Sequence, residues 1–590
     1  MGPSRHIKHS LFALMSAGVV TLAACAPAAQ PAGAPAPAAP AAPAAAPAQP
    51  QAPAPAAPAA APAPAAAPAA APAPAKAPAA APGKIQYGGT ITFSLGGGDH
   101  ENTDPYSNTS SSQGYETNIY LQLIQHTWAG GYFTFQQTPD LAESWSMPDD
   151  TTIIFKLRKG AKTAPVAPLN GREVTADDVV YSFQRLVFDP KSLSRGNGDI
   201  LKSVEAIDKY TVKFTGKQRS LLLLETAATV PLFIIHREVV EKFGDLRNQA
   251  LGAGAFYQER KQPAVGLFLK KNPNYYDADK VGPDQLEYLT IPDNAAVIAA
   301  FRTGKLSDLS YGGISKADKD ALLRTNPDIQ VADADRGGNS VMSLRSDQPD
   351  KPWADFRVRK AMSMGIDREG LITAMYGGEG LYSGYVPCQL PQAVPCEELK
   401  GLDIMKFNAT EAKRLLAEAG YPKGFKFMII WPTKGVTPSP VTQLLASMWQ
   451  KNLGLTVDLE TEGVSSVAWR AQGYSGDYTD MAQVGGPGLP NWYEFLTQTI
   501  SSKGRWPWFK FTQFDKDIDD IMATLDPKEQ IAKTQALQRL LLTSEKYGGY
   551  AVLIPAGKNF AVAQPWIKNW HPMLRYRHHR YLWIDQSLKR

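Results

Sequence analysis

Polar and apolar residues alternate from Thr90 to Leu95, with Ile91, Phe93 and Leu95 apolar, and the alternation stops at Gly96, Gly97 and Gly98. A period of two closed by glycines predicts an opening strand and its exit loop. Strand patterns recur at Thr151 to Leu157 and Tyr210 to Phe214, and between them a helix start falls at Thr175, with Asp177 and Asp178 in the first turn ahead of Val179, Val180, Phe183 and Leu186. Acidic residues there complement the positive end of a helix. Asn408 caps a second helix through Glu411, Leu415, Leu416 and Ala419, which Gly420 and Pro422 end, and Phe425 to Trp431 follows as a strand. A helix over Val441 to Asn452 and a strand over Leu455 to Glu460 repeat the order. Helix-then-strand units of this size predict α/β architecture.

The patterning is different at the amino end. Arg5 and Lys8 precede an apolar stretch from Leu11 to Ala24, and Cys25 closes the run Leu22, Ala23, Ala24, Cys25. That is the three-part layout of a secretion signal, and about fourteen apolar residues are too few to span a bilayer, which takes about 20. The cysteine at the cleavage point resembles the bacterial lipoprotein lipobox, in which the thiol receives a diacylglycerol. The alternative is a plain signal peptide with an incidental cysteine. From Ala26 to about Gly83 the chain is almost wholly Ala and Pro, and frequent proline forbids the helix that alanine alone favours. The expectation is a signal peptide over 1–24 and, over 25–84, a lipidated Cys25 followed by a disordered, extended tether whose reach is bounded on the order of 180 Å.

Roughly 500 residues remain, more than one hydrophobic core usually serves, so at least two lobes are expected. The formal charge is +5, with 61 basic and 56 acidic side chains interspersed, which leaves no basic stripe to follow a nucleic acid backbone. Nucleic acid is therefore excluded as a partner. Beyond Cys25 the only cysteines are Cys388 and Cys396, in a proline-rich stretch. In an exported chain this invites a local disulfide over two free thiols; closing about nine residues is worth roughly 2.6 kcal/mol in the chain-entropy model.

A set of ordered segments then carries a family resemblance. These are Pro139 to Trp145 with Asp149 and Asp150, Phe155 to Gly160, Pro168 to Val179, Gly252 to Phe256 leading to Lys271 to Tyr276, Phe356 to Ala361 with Gly365 to Arg368, and Glu411 to Gly424. In order and spacing the chain resembles the family 5 extracellular solute-binding proteins, the dipeptide and oligopeptide receptors of ABC importers. The resemblance implies a two-lobed α/β periplasmic-binding-protein fold of type II, cluster C-like, with a hinge of crossing strands near Asn339 to Leu344 and Val552 to Lys558. The first lobe is expected over 85–341 plus 556–590 and the second over 342–555. It further implies a monomeric, non-enzymatic, extracytoplasmic receptor, periplasmic or on the cell surface. Its partners would be the membrane through the lipid, a small solute, and the importer's permease subunits.

One departure bears on the solute. Peptide-binding members of the family carry an Asp after a second-lobe strand that pairs with the peptide's α-ammonium group. Aligned on Phe495 and Leu496, that position falls near Gly488 and the preceding Trp near Gly485, so no carboxylate stands there. A buried cation without a partner costs several kcal/mol. The expected ligand-binding residues in this loop are Gly485, Gly486, Gly488, Asn491 and Trp492, which suit an oligosaccharide or a peptide anchored elsewhere; a shifted loop would let Glu494 or Asp480 take the missing role. Family position adds Tyr106, Ser107 and Asn108 after Asp104 and Pro105, and Trp431 at a strand end, whereas Trp469 reads as structural.

Catalytic and metal readings find little support. No His-Glu-x-x-His spacing and no Gly-x-Ser-x-Gly elbow occur, so neither a zinc protease nor a serine hydrolase site is expected. Gly96 to Gly98 lack the pattern of a phosphate cradle. His571, His578 and His579 lie together near the carboxyl end, but a core or surface role outweighs metal binding. No cofactor is expected.

Overall fold

Ile91 and Phe93 turn inward from the strand Thr90–Ser94 in the computed structural model. The described residues are 84–94, 103–107, 113–128, 135–192, 198–228, 232–310, 313–333, 340–430, 439–460, 478, 480–485, 492–504, 510–571 and 579–589. The strand lies in a sheet in which Gln285–Leu289 runs parallel to it and Gly266–Lys271 and Phe256–Gln262 follow antiparallel. A second sheet, antiparallel throughout, holds Ala142–Asp149, Thr152–Leu157, Thr211–Gly216 and Leu201–Asp208 in that spatial order. The helix Ala176–Phe183 packs on it, started by Thr175, whose N–H donates to Asp178 at 2.9 Å.

A third sheet orders Thr456–Glu460, Lys426–Ile430, Met481–Gly485, Ser340–Leu344 and Ala551–Leu553, the first three mutually parallel and the rest antiparallel. Its flanking helices follow local chemistry. Asn408 accepts from the Glu411 N–H to start Ala409–Glu418, and Ser439 does the same for Pro440–Leu453, which Gly454 ends in a left-handed conformation. Such caps satisfy end groups that no helical partner reaches.

Apolar side chains gather in separate cores. One draws on residues from Ile91 to Tyr288 together with Ala563, Ile567, Leu582 and Ile584; another spans Val341 to Ile554. A smaller cluster joins Val297 through Ile329 to Phe560 and Val562. The chain leaves the first group between 333 and 340 and returns between 553 and 560. On the near side Gln330–Asp333 pairs antiparallel with Phe560–Ala563; on the far side Ser340–Leu344 pairs antiparallel with Ala551–Leu553. The returning segment is strapped by Gly380–Leu381, which pairs with Ala556–Gly557. Only glycine fits at 557, because a Cβ there would stand 2.4 Å from the Tyr376 ring.

Candidate functional site

Strand direction marks the side of each sheet on which the crossings lie. In the third sheet Ile430, Glu460 and Gly485 are carboxyl ends lying at one edge, and Gly485 pairs with Ser340, the residue at which the outgoing crossing enters the sheet. Leu553, where the return crossing departs, pairs with Val341 at that same edge. The first sheet is oriented toward it. Phe93 bridges Asp308 in parallel, and Asp308 and Ile314 bridge Ala563 and Phe560 in antiparallel sense, the order leading toward the crossing end of the Phe560–Ala563 strand. Ser94 is therefore also a carboxyl end facing the crossings. Open α/β sheets bind ligands outside the carboxyl ends of their strands, and in both sheets those ends lie on the side of the crossings.

Trp431 and Gly486 come next in sequence after the strand ends Ile430 and Gly485, and with Gly488, Asn491, Asn108 and Cys25 they lie outside the described residues, as do Trp469 and His578. Ser107 ends a short 3-10 turn, Pro105–Ser107, and Gly485 ends its strand. Trp492 opens the helical turn Trp492–Glu494, packs half-buried against the second core, and meets the Tyr493 ring edge-on at 6.0 Å.

Tyr106 is half-buried in a charged cluster. Its hydroxyl donates to Asp189 at 2.9 Å, and its ring lies 4.6 Å from the Arg185 guanidinium. Arg185 grips Asp104 through both terminal nitrogens, at 2.8 and 2.6 Å, and Asp104 also accepts from the Tyr106 and Leu246 N–H groups. Burial disfavours the Arg185 cation, but the hydrogen bonds to Asp104 outweigh it and raise its pKa. Burial, then the bond to Asp189, raises that of Tyr106. The Tyr106 hydroxyl and ring are both committed in this way to partners within the first half.

Asp480, which precedes the strand Met481–Gly485 at its amino end, opposite the edge that ends at Gly485, is also committed. It accepts from Lys351 Nζ at 2.7 Å and from the Met428 N–H at 2.9 Å, so it is tied into its own sheet and does not replace the missing anchor. Glu494 is half-buried in the turn that follows the glycine-rich loop.

Sequence reasoning missed the residues that join the two sides. Glu225 accepts from His126 Nε2 at 3.0 Å and from Gln137 Nε2, both in the first half, and from the Tyr493 hydroxyl at 3.1 Å, in the second. Two π-helical segments flank the region, Gln184–Phe188 carrying Arg185 and Phe495–Ile500 directly after Tyr493; such segments recur at functional sites. The acidic pair at Asp177 and Asp178 is a helix start as read. His579 is a core residue, stacked 4.0 Å from Phe93 and 2.8 Å from the Tyr288 hydroxyl. Among the described residues no three His, Cys, Asp or Glu side chains gather as metal ligands, and no helix is long and apolar enough to cross a membrane. Cys388 and Cys396 are joined in a disulfide.

Comparison with known proteins follows the geometry. Residues 136–507 match the family model described as bacterial extracellular solute-binding proteins, family 5 Middle. Heme-binding protein A of Haemophilus influenzae is 28% identical over 53% of this chain and 60% of its own length. Periplasmic oligopeptide-binding protein OppA of Salmonella typhimurium is 27% identical over 67% of this chain and 75% of its own. Among solved structures, the periplasmic binding protein DppA of Helicobacter pylori, in complex with the peptide STSA, superposes with a TM-score of 0.72 at 22% identity, covering 85% of this chain and 99% of the other.

Proposed function

The chain belongs to the bacterial extracellular solute-binding proteins of family 5, and from that premise we propose that it is the membrane-tethered receptor of an ABC importer, taking up a small polar solute, peptide or oligosaccharide, between two closing lobes. As a solute-binding protein it is not an enzyme. The observation that carries the reading is the pair of sheets whose carboxyl strand ends both lie on the side of the crossings, 333–340 and 553–560. A solute touching both lobes shifts an open and closed equilibrium by its differential affinity for the closed form. The closed form is then what a permease recognises. We assign 85–341 plus 556–590 to the first lobe and 342–555 to the second, in line with the separate cores.

Cys25 is read as the lipid anchor and 25–84 as its tether, which keeps a monomeric receptor near its transporter and raises effective concentration. The solute contacts are assigned to Tyr106, Ser107, Asn108, Trp431, Gly485, Gly486, Gly488, Asn491 and Trp492. The peptide arm is favoured by relatives named as oligopeptide and di/tripeptide binders; in that arm the amino group needs an anchor elsewhere, because Asp480 is engaged by Lys351.

A thermal-shift screen of the full chain with peptides and oligosaccharides tests the reading. A solute at 100 times its Kd adds about 2.7 kcal/mol of stability, a shift of several degrees. Stabilisation by free-amino peptides alone would overturn the reading of the Gly485 to Trp492 loop, and stabilisation by neither panel would overturn the solute class.

A further inference from the structure

We propose that the short helix Leu222–Glu225, with Leu221 ahead of it, is a latch that holds the two halves closed without any bound solute. The inference rests on the two-lobed fold and not on the identity of the solute. Four consecutive leucines divide between two cores. Leu223 is fully buried in the first and Leu224 packs against it, whereas Leu221 and Leu222 pack against the second. Successive helical residues point about 100° apart, so a run of leucines is apolar on every side and sits stably only between two apolar surfaces.

Polar contacts close both ends of this turn. The Leu221 N–H donates to the Met522 carbonyl at 3.1 Å, and Glu225 accepts from the Tyr493 hydroxyl at 3.1 Å. Met522 and Tyr493 both belong to the second core. Glu225 is meanwhile gripped from its own half by His126 and Gln137, so its carboxylate is aimed before the second half arrives. None of these groups lies in the crossing segments. A rotation about the crossings that parts the halves must break the Leu221 and Glu225 contacts together. Closure supported in this way lowers the differential affinity a solute has to supply.

Amide hydrogen exchange and small-angle scattering on the full chain test the latch, after refolding from denaturant to strip any co-purified solute. The variants are Tyr493→Phe, which removes one hydroxyl and keeps the ring, and Leu222→Ala. Exchange at the Leu221 amide should rise about fivefold in Tyr493→Phe, the worth of a typical hydrogen bond, while the strands Thr211–Gly216 and Lys426–Ile430 keep wild-type protection. The radius of gyration should increase in both variants, the tether contributing equally to each. Faster exchange at Leu221 with an unchanged radius would reduce the contact to local fraying and overturn the latch, as would no change in either measurement.

Discussion

Arg172 holds the Asp178 carboxylate with both terminal nitrogens, Nη1 to Oδ2 at 2.9 Å and Nη2 to Oδ1 at 2.6 Å. The same carboxylate accepts from the Thr175 N–H and lies 3.0 Å from His236 Nδ1, and Arg172 also donates to Glu238 through Nε and Nη2 and to the Glu173 carbonyl through Nη1. One buried acid thereby ties a helix start to two other segments of the first half.

That network predicts an acid-side loss of stability. Burial pushes the Asp178 pKa up, but the bonds from Arg172 and His236 outweigh it and hold the carboxyl well below its usual value. A group whose folded pKa is depressed contributes stability above its unfolded value, about 4, and loses it as pH falls toward the lower folded value. Asp178→Asn should cost about 2 kcal/mol at pH 7, discounted because Arg172 is partly exposed. Urea midpoints at pH 7 and pH 3 check this: the gap between wild type and variant should narrow at pH 3, and an equal gap at both would refute the assignment.

Arg368 is buried among carbonyls. It donates to Ser363 and Met405 through Nη1 at 2.9 and 3.1 Å, and to Leu553 through Nε and Nη2 at 3.2 Å each. Leu553 is the last residue of the strand from which the return crossing leaves. Lysine offers a single charged point and cannot span these acceptors, so Arg368→Lys should cost about 3 kcal/mol through carbonyls left unpaired. Denaturant unfolding measures it, and a loss below about 1 kcal/mol would mean that water or neighbours satisfy those oxygens.

The Cys388 to Cys396 loop docks on the helix Pro527–Thr543. Gln538 donates to the Gln392 carbonyl at 2.8 Å and Gln535 to that of Pro391 at 3.1 Å, while the Tyr385 hydroxyl reaches Leu541 at 2.9 Å. These contacts hold the loop without the bridge, so opening the bridge acts mainly on the unfolded chain. Replacing both cysteines by serine should lower stability by at most roughly 2.6 kcal/mol and leave solute binding unchanged. A loss of binding in the folded double variant would place this loop at the crevice instead.

How much was legible in the chain depends on range. Thr152–Leu157 and Ala409–Glu418 follow from local periodicity and from a cap that bonds three residues on, because period and cap act within a few residues. Tyr106 was legible as a residue after the first strand, but its hydroxyl meets Asp189 83 positions away, and nothing near it in sequence marks that partner. Glu225 and Tyr493 stand 268 positions apart. Nothing in the run Leu221 to Leu224 marks that its two leucine pairs meet different cores; only the fold divides them. Asp480 shows the opposite error: it was a chemically fit anchor by type, and the structure commits it to Lys351 and Met428.

The last prediction concerns the amino end, where the argument is one of acyl chains. Each buried methylene contributes about 0.8 kcal/mol, and a single myristoyl chain gives only marginal, reversible membrane binding, so stable anchoring takes a second signal. A diacylglycerol on Cys25, as proposed, would supply two chains at once, whereas the Ala and Pro tract that follows has no basic cluster to add an electrostatic one. Cys25→Ser should therefore move the protein from the membrane to the soluble fraction of the expressing cell, with its solute-induced thermal shift intact because the substitution touches none of the residues assigned to the solute. Fractionation followed by immunoblotting reads the outcome. Retention of the serine variant on membranes at wild-type level would show that an uncleaved leader, and not the thioether-linked lipid, holds the receptor in place.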